Sequence, residues 1–269
     1  MNLKNKVAVI TGAGSGIGRA TAFAMARRGC HLALADIDEV SVNESAARAR
    51  EFGVRVSSHR LDVADRAAVA AFPDAVVAAH GQVDLLMNNA GVAVGGTFEQ
   101  VSADDFDWLM EINFHSVVRM TRAFLPLLHR SLDARIVNVS SIFGIITPPG
   151  QAAYSASKFA VRGFSNVLRH ELEGSTVGVS VVHPGGITTA IAQNARIPAG
   201  ASEEEVARGR RRMEKMLRMP PEQAGEIIVR GIEKRQARIL VGSDAKAAAF
   251  LERLAPVGYW NLLKKAMKR

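Results

Sequence analysis

The chain has 269 residues, of which 48% are apolar and 22% charged, and its formal net charge is +8. This composition is typical of a globular protein with a large buried core. We expect neither a membrane span nor a secretory signal, because the apolar runs are short and the first one, Val7–Ile10, ends in a glycine loop. The single cysteine, Cys30, excludes an internal disulfide and fits a reducing environment, so a cytoplasmic location is predicted.

The positive charge is concentrated in two segments. Residues Arg208–Arg218 hold six basic side chains and one acidic one, and the last ten residues hold Lys264, Lys265, Lys268 and Arg269 with no acid. Such patches can bind nucleic acid, but no nucleic-acid-binding motif accompanies them. We therefore predict solvated helix faces and no nucleic-acid partner.

Short apolar runs alternate with longer helical patterns along the chain. The predicted strands are Val7–Thr11, His31–Asp36, Arg55–Leu61, Val83–Asn88, Ala134–Ser140, Gly178–His183 and Arg238–Val241. The predicted helices are Ile17–Arg28, Val40–Phe52, Arg66–His80, Ala103–Leu128, Tyr154–Glu173 and Pro221–Arg235. This alternation predicts an α/β fold: a doubly wound, mostly parallel seven-stranded sheet with helices on both faces. Ligands of such a sheet bind at the carboxyl ends of its strands.

Residues 1–269 are predicted to form a single domain, because no Pro/Gly/Ser-rich linker and no repeat interrupts them. The pattern breaks at 190–219, an insertion before the last helix and strand. Within it, Ser202 and Glu205 have the spacing of a helix capping box. Insertions at the carboxyl edge of such sheets often form lids, which is the role predicted for 190–219. A helical extension is predicted for 243–269.

The stretch TGAGSGIG, Thr11–Gly18, follows the first predicted strand and opens the first predicted helix. Its glycines could form a plain turn. They could also let a dinucleotide pyrophosphate approach the free N–H groups of the helix N-terminus. Asp36 favours the second interpretation, because an acid at the end of the second strand can accept hydrogen bonds from the adenosine ribose. This carboxylate would repel a 2′-phosphate, so NAD is favoured over NADP.

A tyrosine and a lysine stand four residues apart in YSASK, residues 154–158. On one face of a helix their polar ends would meet. The pair could be an exposed surface contact of little consequence. It could also be a phenol whose pKa, near 10 when unperturbed, is lowered by the ammonium so that it can exchange a proton with a substrate.

In combination these motifs resemble those of the short-chain dehydrogenase/reductase family, over about Lys6–Thr189. The motifs that carry the resemblance are G-x-x-x-G-x-G at 12–18, LDV at 61–63, NNAG at 88–91, IN at 112–113, NVSS at 138–141, YSASK at 154–158 and HPGGITT at 183–189. The resemblance implies an oxidoreductase that transfers a hydride between a nicotinamide cofactor and a secondary alcohol or ketone.

The resemblance also implies four catalytic residues. Tyr154 would be the general acid or base, and Lys158 would tune it and bind the nicotinamide ribose. Ser141 would hold the substrate oxygen. It is implied rather than Ser140 because the family's active serine lies thirteen residues before the tyrosine. Asn113 would interrupt its helix and hold a water in a proton relay leading from Lys158.

The implied cofactor contacts are spread along the chain. They are Gly12, Ser15, Gly16, Ile17, Gly18, Asp36, Asp62, Val63, Asn89, Ala90, Gly91, Tyr154, Lys158, Pro184, Gly185, Ile187 and Thr189. Asp62 would hold the adenine ring, and the Ile187 backbone and Thr189 would hold the carboxamide. No metal site is predicted.

The substrate pocket is expected to be walled by Ala93–Phe98, Phe143–Gln151 and the insertion 190–219. The expected substrate contacts are Ser141, Phe143, Gln151 and Tyr154. Because these walls are largely apolar, a hydrophobic secondary alcohol or ketone is favoured. We interpret Trp108 as a core or interface residue and His183 as structural.

Two other functions stay open. The basic cluster Arg208–Arg218 could receive an anionic carrier, which would make the protein a ketoacyl-thioester reductase of lipid metabolism. Asp36 argues against the phosphorylated cofactor that such reductases usually use. The fold could also serve as a non-catalytic dinucleotide-binding module.

The chain departs from the family pattern after the last strand, where many bacterial members end in a short glycine-rich tail. The segment Tyr259–Arg269 could form an amphipathic helix on a membrane surface, cover a subunit interface or cover the cleft. Packing on protein is favoured over membrane association. Because the chain end is often part of the family's tetramer interface, a homodimer is favoured over a homotetramer.

Overall fold

The computed structural model describes residues 1–267, without the side chains of 203, 210, 212–215 and 265–267. Several basic residues singled out in the sequence therefore lie outside the described residues or have undescribed side chains: Arg210, Arg212, Lys215, Lys265, Lys268 and Arg269. Within the described part, no helix combines the length and the apolar content needed to cross a membrane.

The strands form one parallel sheet, which confirms the predicted fold class. They are β1 (Val7–Thr11), β2 (His31–Asp36), β3 (Val56–Arg60), β4 (Leu85–Asn88), β5 (Ala134–Val139), β6 (Val177–Pro184) and β7 (Arg238–Val241). Their order across the sheet is β3-β2-β1-β4-β5-β6-β7, and each neighbouring pair is parallel. The predicted strand bounds agree with these to within two residues at each end.

Helices cover both faces of the sheet. They are α1 (Gly16–Ala26), α2 (Glu39–Arg50), α3 (Arg66–His80), α4 (Ala103–Met110), α5 (Ser116–Leu128), α6 (Ala152–Glu171), α7 (Glu203–Met216), α8 (Pro221–Glu233), α9 (Ser243–Leu254) and α10 (Tyr259–Met267). The predicted helix 103–128 is interrupted between α4 and α5 by a π-helical turn, Glu111–His115.

Successive residues of a central strand point into different cores. In β1, Ala8 and Ile10 belong to the cluster that includes α1, α2 and α8, whereas Val9 belongs to the cluster that includes α3, α5 and α6. This period of two is the geometry of an extended strand buried on both faces, and it explains why the strands are apolar throughout.

Helix α1, which follows β1, and helix α5, which comes after β4, lie on opposite faces of the sheet. Met25 of α1 packs in the first cluster, and Phe124 of α5 packs in the second. Because β1 and β4 are neighbours in the sheet, a crevice opens at their carboxyl ends. The structure thus places the glycine stretch and the NNAG motif side by side at this crevice.

The insertion 190–219 contains α7, and the predicted capping box begins it. The Ser202 backbone N–H donates to Glu205 Oε2 at 2.9 Å, and the Glu205 N–H donates to Ser202 Oγ at 3.3 Å. The proposed lid role of this segment stays a prediction.

The C-terminal helices α9 and α10 pack on the chain that follows β5. Ile145 and Ile146 form a buried cluster with Ala248, Ala249 and Tyr259. The Tyr259 hydroxyl lies 2.7 Å from Thr147 Oγ1 and accepts from the Thr147 N–H at 2.9 Å. The described part of the extension therefore buttresses the segment that carries Phe143, one of the predicted substrate contacts.

Candidate active site

A cleft of about 700 Å³ opens at the carboxyl ends of the strands, beside the N-terminus of α1. It brings together all the predicted site residues except Gly18 and Asn113. Those that line it are Gly12, Ser15, Gly16, Ile17, Asp36, Asp62, Val63, Asn89, Ala90, Gly91, Ser141, Phe143, Gln151, Tyr154, Lys158, Pro184, Gly185, Ile187 and Thr189. Their individual roles stay predictions.

The glycine stretch is held against the chain after β4 by hydrogen bonds and by close backbone packing. Thr11 Oγ1 accepts from the N–H groups of Asn89 and Ala90, each at 3.1 Å, and Asn89 Nδ2 donates to the Gly12 carbonyl at 3.1 Å. Gly12 has a positive φ of 64°. A Cβ at Gly18 would overlap the Gly12 carbonyl oxygen, so Gly18 supports the loop from behind and does not line the cleft.

Asp36 faces the cleft with both carboxylate oxygens already oriented. Oδ2 accepts from the Gly14 N–H at 2.8 Å, and Oδ1 accepts from the Asp38 N–H at 3.1 Å. Each oxygen retains a lone pair for a further donor, such as a ribose hydroxyl. Arg19 does not line the cleft, because its guanidinium donates to Ser45 Oγ at 2.8 Å and contacts Glu44 at 3.5 Å.

These features fit a dinucleotide. The N-terminal N–H groups of α1 face a cradle of glycines that a side chain would fill, and a carboxylate stands at the end of β2. Gly12 and Gly16 would hold the pyrophosphate, Asp36 the adenosine ribose, and Asp62 and Val63 the adenine. Such a cofactor would supply the hydride acceptor or donor.

Tyr154 and Ser141 meet at the inner end of the cleft. Tyr154 lies in the first turn of α6, and Ser141 follows β5 and caps a short 3₁₀ turn by accepting from the Phe143 N–H at 3.1 Å. The Phe143 ring packs edge-on against the Tyr154 ring, with 6.1 Å between centroids. Burial raises the pKa of Tyr154, and a hydrogen bond with Ser141 opposes this rise. In the protein alone, desolvation of the phenolate therefore dominates, and the lowering of this pKa by Lys158 and a bound nicotinamide stays a prediction.

Lys158 lies one turn further along α6, and its side chain is buried. Its Nζ donates to the Val139 carbonyl at 3.2 Å and lies 5.6 Å from the centroid of the Tyr154 ring. Burial lowers the pKa of Lys158 to about 8, because no described charge compensates the ammonium. The group is therefore available both as a hydrogen-bond donor and as a proton carrier near neutral pH.

Asn113 lies in the π-helical turn and is fully buried. Its Oδ1 accepts from the Val92 N–H at 2.8 Å, and its Nδ2 donates to the Val92 carbonyl at 3.0 Å. The side-chain amide thus fixes the chain beside the cleft without lining it. The predicted interruption of the helix is present, and the predicted role in holding a water stays a prediction.

Ser140 and Ser141 differ in the groups that they contact. Ser140 Oγ donates to the Lys158 carbonyl at 2.8 Å and so ties β5 to α6. The Ser141 carbonyl lies 2.9 Å from His183 Nδ1. Burial lowers the pKa of His183 to about 4, so this imidazole is neutral at working pH and positions the serine as a hydrogen-bond partner.

The pocket walls differ from those expected. Of the segment Ala93–Phe98, Ala93 lines the cleft and Phe98 is exposed; of Phe143–Gln151, only the two end residues line it. Ile145 and Ile146 point to the C-terminal helices instead. From the insertion, the described lining residues are Ala190, Ile191, Ala192, Asn194, Met216 and Leu217.

Several cleft residues were not predicted as site residues, and two of them stand out by their side chains. Trp108 of α4, interpreted as core or interface, lines it. Asp244, at the start of α9, also lines it and accepts from the Gly186 N–H at 2.6 Å. Asp244 follows the last parallel strand closely, and a carboxylate at a strand's carboxyl end is a signal that could have revealed it.

Comparisons with known proteins agree with this geometry. A family model described as short chain dehydrogenase matches residues 6–199. The putative oxidoreductase SadH of Mycobacterium tuberculosis is 44% identical over 264 residues, covering 97% of this chain and 95% of the relative. The 3-oxoacyl-[acyl-carrier-protein] reductase FabG of Thermotoga maritima is 33% identical over 208 residues, covering 77% of this chain and 84% of the relative.

Solved structures agree as well. A short-chain dehydrogenase/reductase from Burkholderia phymatum in complex with NAD superimposes with a TM-score of 0.88 at 34% identity, covering 95% of both chains. A metagenomic short-chain oxidoreductase in complex with NADP gives a TM-score of 0.71 at 28% identity, covering 90% of this chain and 98% of that one. The chain belongs to the short-chain dehydrogenase/reductase family, as its motifs predicted, and is an oxidoreductase of that family.

The buried ammonium of Lys158 should cost folding stability. At pH 7 Lys158 is charged in the folded and the unfolded chain, so Lys158→Met removes a desolvation cost. We expect the variant to be more stable by up to about 3 kcal/mol in urea unfolding. As pH rises from about 8 to 10.5, the unfolded chain binds more protons than the folded one, so the wild type gains stability and the difference shrinks.

Lys4→Met, which alters an exposed lysine, is the control and should show no such pH-dependent difference. A Lys158→Met protein that is less stable at pH 7, by an amount that does not change with pH, would contradict the cost assigned to the buried charge.

Proposed function

We propose that this protein transfers a hydride between NAD(H) and a hydrophobic secondary alcohol or ketone. The observation that carries the proposal is the convergence of Ser141, Tyr154 and Lys158 in a cleft whose lining is largely apolar on the side expected to receive the substrate. Membership of the family supports the reaction class, and the lining of the cleft supports the choice of substrate and cofactor.

Each catalytic group acts through an atom that the site already orients. Ser141 Oγ donates to the substrate oxygen and stabilises the charge that develops on it. The Tyr154 hydroxyl gives its proton to that oxygen when a ketone is reduced and takes it when an alcohol is oxidised. Lys158 supplies the positive charge that favours the phenolate and, through its ammonium, a donor to the nicotinamide ribose.

The burial that raises the Tyr154 pKa suits ketone reduction, since the phenol keeps its proton until the substrate oxygen becomes basic. In the oxidative direction, Lys158 would favour the phenolate together with the positive charge that an oxidised nicotinamide would supply. Water is excluded on one side by Phe143, whose ring packs against Tyr154.

The substrate side of the cleft favours an uncharged apolar molecule. Its described lining includes Val92, Ala93, Trp108, Phe143 and the segment Ala190–Ala192. Among the described residues, the charged side chains of this part of the cleft are Lys158 and Asp244. The Asp244 carboxylate accepts a hydrogen bond from the Gly186 N–H. Apart from Lys158, a carboxylate or phosphate on the substrate would meet no basic side chain among the described lining residues, so hydrophobic binding dominates.

The choice of NAD rests on Asp36. Its carboxylate would accept from a ribose hydroxyl and would repel a 2′-phosphate. Its described neighbours in the cleft, Ile37, Asp38 and Ser41, bring no positive charge. The complex of the Burkholderia phymatum relative with NAD supports this choice, while the NADP complex of the metagenomic relative shows that the family admits both cofactors.

A second candidate is reduction of a ketoacyl thioester. The similarity to the Thermotoga maritima reductase favours it. Arg208 and Arg211 of the basic cluster are exposed and do not line the cleft, so they could meet an anionic carrier only outside it. An assay with NADPH and a ketoacyl thioester, run beside NADH and apolar ketones, separates the two functions by which pair turns over.

The function is tested by following NADH absorbance with apolar secondary alcohols and their ketones, for wild type and Tyr154→Phe. We expect wild-type turnover, and a loss of about a hundredfold or more in the variant, because the substrate oxygen loses its proton donor. NADH affinity, measured by fluorescence, should stay nearly unchanged. Substantial residual turnover in Tyr154→Phe would remove Tyr154 from the assigned role.

The cofactor choice is tested with Asp36→Asn and Asp36→Ala. We expect the preference for NAD over NADP, expressed as a ratio of kcat/KM, to fall about tenfold or more in both, since each removes the charge that repels a 2′-phosphate. Asp38→Asn is the matched control, because it removes the neighbouring carboxylate of the same cleft. An equal fall in Asp38→Asn, or none in the Asp36 variants, would refute Asp36 as the discriminating residue.

A further inference from the structure

A guanidinium, an indole and a carboxylate meet at the rim of the cleft. The Arg196 Cζ lies 3.5 Å from the centroid of the Trp108 ring, and Arg196 Nη1 lies 2.8 Å from Asp105 Oδ1. Asp105 and Trp108 are three residues apart in α4 and so lie on one face of this helix. One arginine is therefore fixed at two points, by a cation–π contact on its plane and by an ion pair at its edge.

The backbone of Arg196 is fixed at the same place. Its N–H donates to the Ala93 carbonyl at 3.0 Å, and its carbonyl accepts from the Gly95 N–H at 3.1 Å. These bonds form a parallel bridge between Val94 and Arg196. The first part of the insertion 190–219 is thus tied both to the chain after β4 and to α4.

Trp108 connects this contact to the reacting centre. Its ring lines the cleft and packs in a cluster with Val94, Leu109, Ala153 and Tyr154. Arg196 is absent from the described lining of the cleft, which places its guanidinium on the outer side of the ring. The indole therefore lies between Arg196 and the cleft, and it cannot rotate away without breaking the contact with Arg196.

We propose that Trp108, held in place by Arg196, determines substrate specificity by offering a flat wall for the larger substituent of the substrate. The preferred substrates are then secondary alcohols and ketones whose larger substituent is planar and apolar, because such a group stacks on an immobilised indole. This inference rests on the proposed function for the identity of the reacting group. The stacking on Trp108 concerns binding alone and can be measured without turnover.

The test compares an aryl methyl ketone with a linear methyl ketone of the same carbon number, in wild type, Trp108→Ala, Trp108→Phe and Arg196→Ala. We expect Trp108→Ala and Arg196→Ala to raise KM for the aryl ketone about tenfold, and KM for the linear ketone much less. KM for NADH should stay unchanged. Trp108→Phe, which keeps a flat ring, should restore most of the aryl preference.

Arg27→Ala is the matched control. Arg27 also combines an ion pair, 2.8 Å to Glu226, with a ring contact, 5.7 Å from its Cζ to the Phe52 centroid. It caps the end of α1 remote from the cleft. Its replacement should therefore leave the ratio of the two KM values as in wild type.

A binding measurement makes the outcome independent of turnover. The chain has two tryptophans, so Trp260→Phe leaves Trp108 as the sole source of indole fluorescence. Saturable quenching by the aryl ketone, with an affinity that Arg196→Ala lowers about tenfold, supports the proposal even if no ketone is reduced. In that case the proposed function fails, but the role of Trp108 in binding is supported. Equal binding of both ketones, or a parallel loss for both in Trp108→Ala, overturns it and makes Trp108 a packing residue only.

Discussion

The chemistry of this site depends on an ammonium buried without a compensating carboxylate among the described residues. Lys158 lies inside α6 with its Nζ on the Val139 carbonyl, and burial lowers its pKa to about 8. Such a group costs stability, and a fold retains it where the charge is needed. Here the charge lies 5.6 Å from the ring of a phenol whose own pKa burial raises. A single additional positive charge in the cleft would lower the pKa values of both desolvated groups towards neutral pH.

The parallel sheet explains why so many separate segments reach this point. Parallel strands end at a common edge, so the chain after β1, β2, β4, β5 and β6 converges on one cleft. Contacts between these segments then fix their positions. Thr11 and Asn89 tie the glycine stretch to the neighbouring loop, and Asn113 fixes Val92 from within a π-helical turn. The C-terminal extension contributes from outside, through Tyr259 behind the Phe143 segment and Asp244 at the Gly186 turn.

Local patterns made much of this predictable. The bounds of β1 and β2 follow directly from apolar runs that end in a glycine stretch and in Asp36, and the spacing of Tyr154 and Lys158 depends only on the helical period. The motifs at 12–18, 88–91 and 154–158 place their functional residues at the ends of strands and helices, where the fold fixes the positions of the residues. The predicted cofactor and catalytic residues therefore lie together, with Gly18 and Asn113 just behind the surface.

The rest depends on contacts between distant segments. Trp108 looked like a core residue because its position in α4 does not reveal that Arg196 will lie on its outer face. Ile145 and Ile146 looked like pocket walls, but α9 and α10 cover them. The spacing of Tyr154 and Lys158 shows the nearby lysine but not the extent of desolvation, which raises the Tyr154 pKa in the protein alone. The places of Trp108, Ile145 and Ile146 thus depend on segments far away in the chain.

The most direct test is to titrate Tyr154 itself. The chain has two tyrosines, so ¹³C labelling at the tyrosine Cζ gives two NMR resonances, and Tyr259→Phe assigns them. We expect the pKa of Tyr154 to be above the ordinary tyrosine value in the protein alone and to fall below it when NAD⁺ is added, and we expect Lys158→Met to abolish this fall. A Tyr154 pKa that NAD⁺ leaves unchanged would contradict the proposed role of Tyr154, because the phenol would then not be the group that the site prepares for proton transfer.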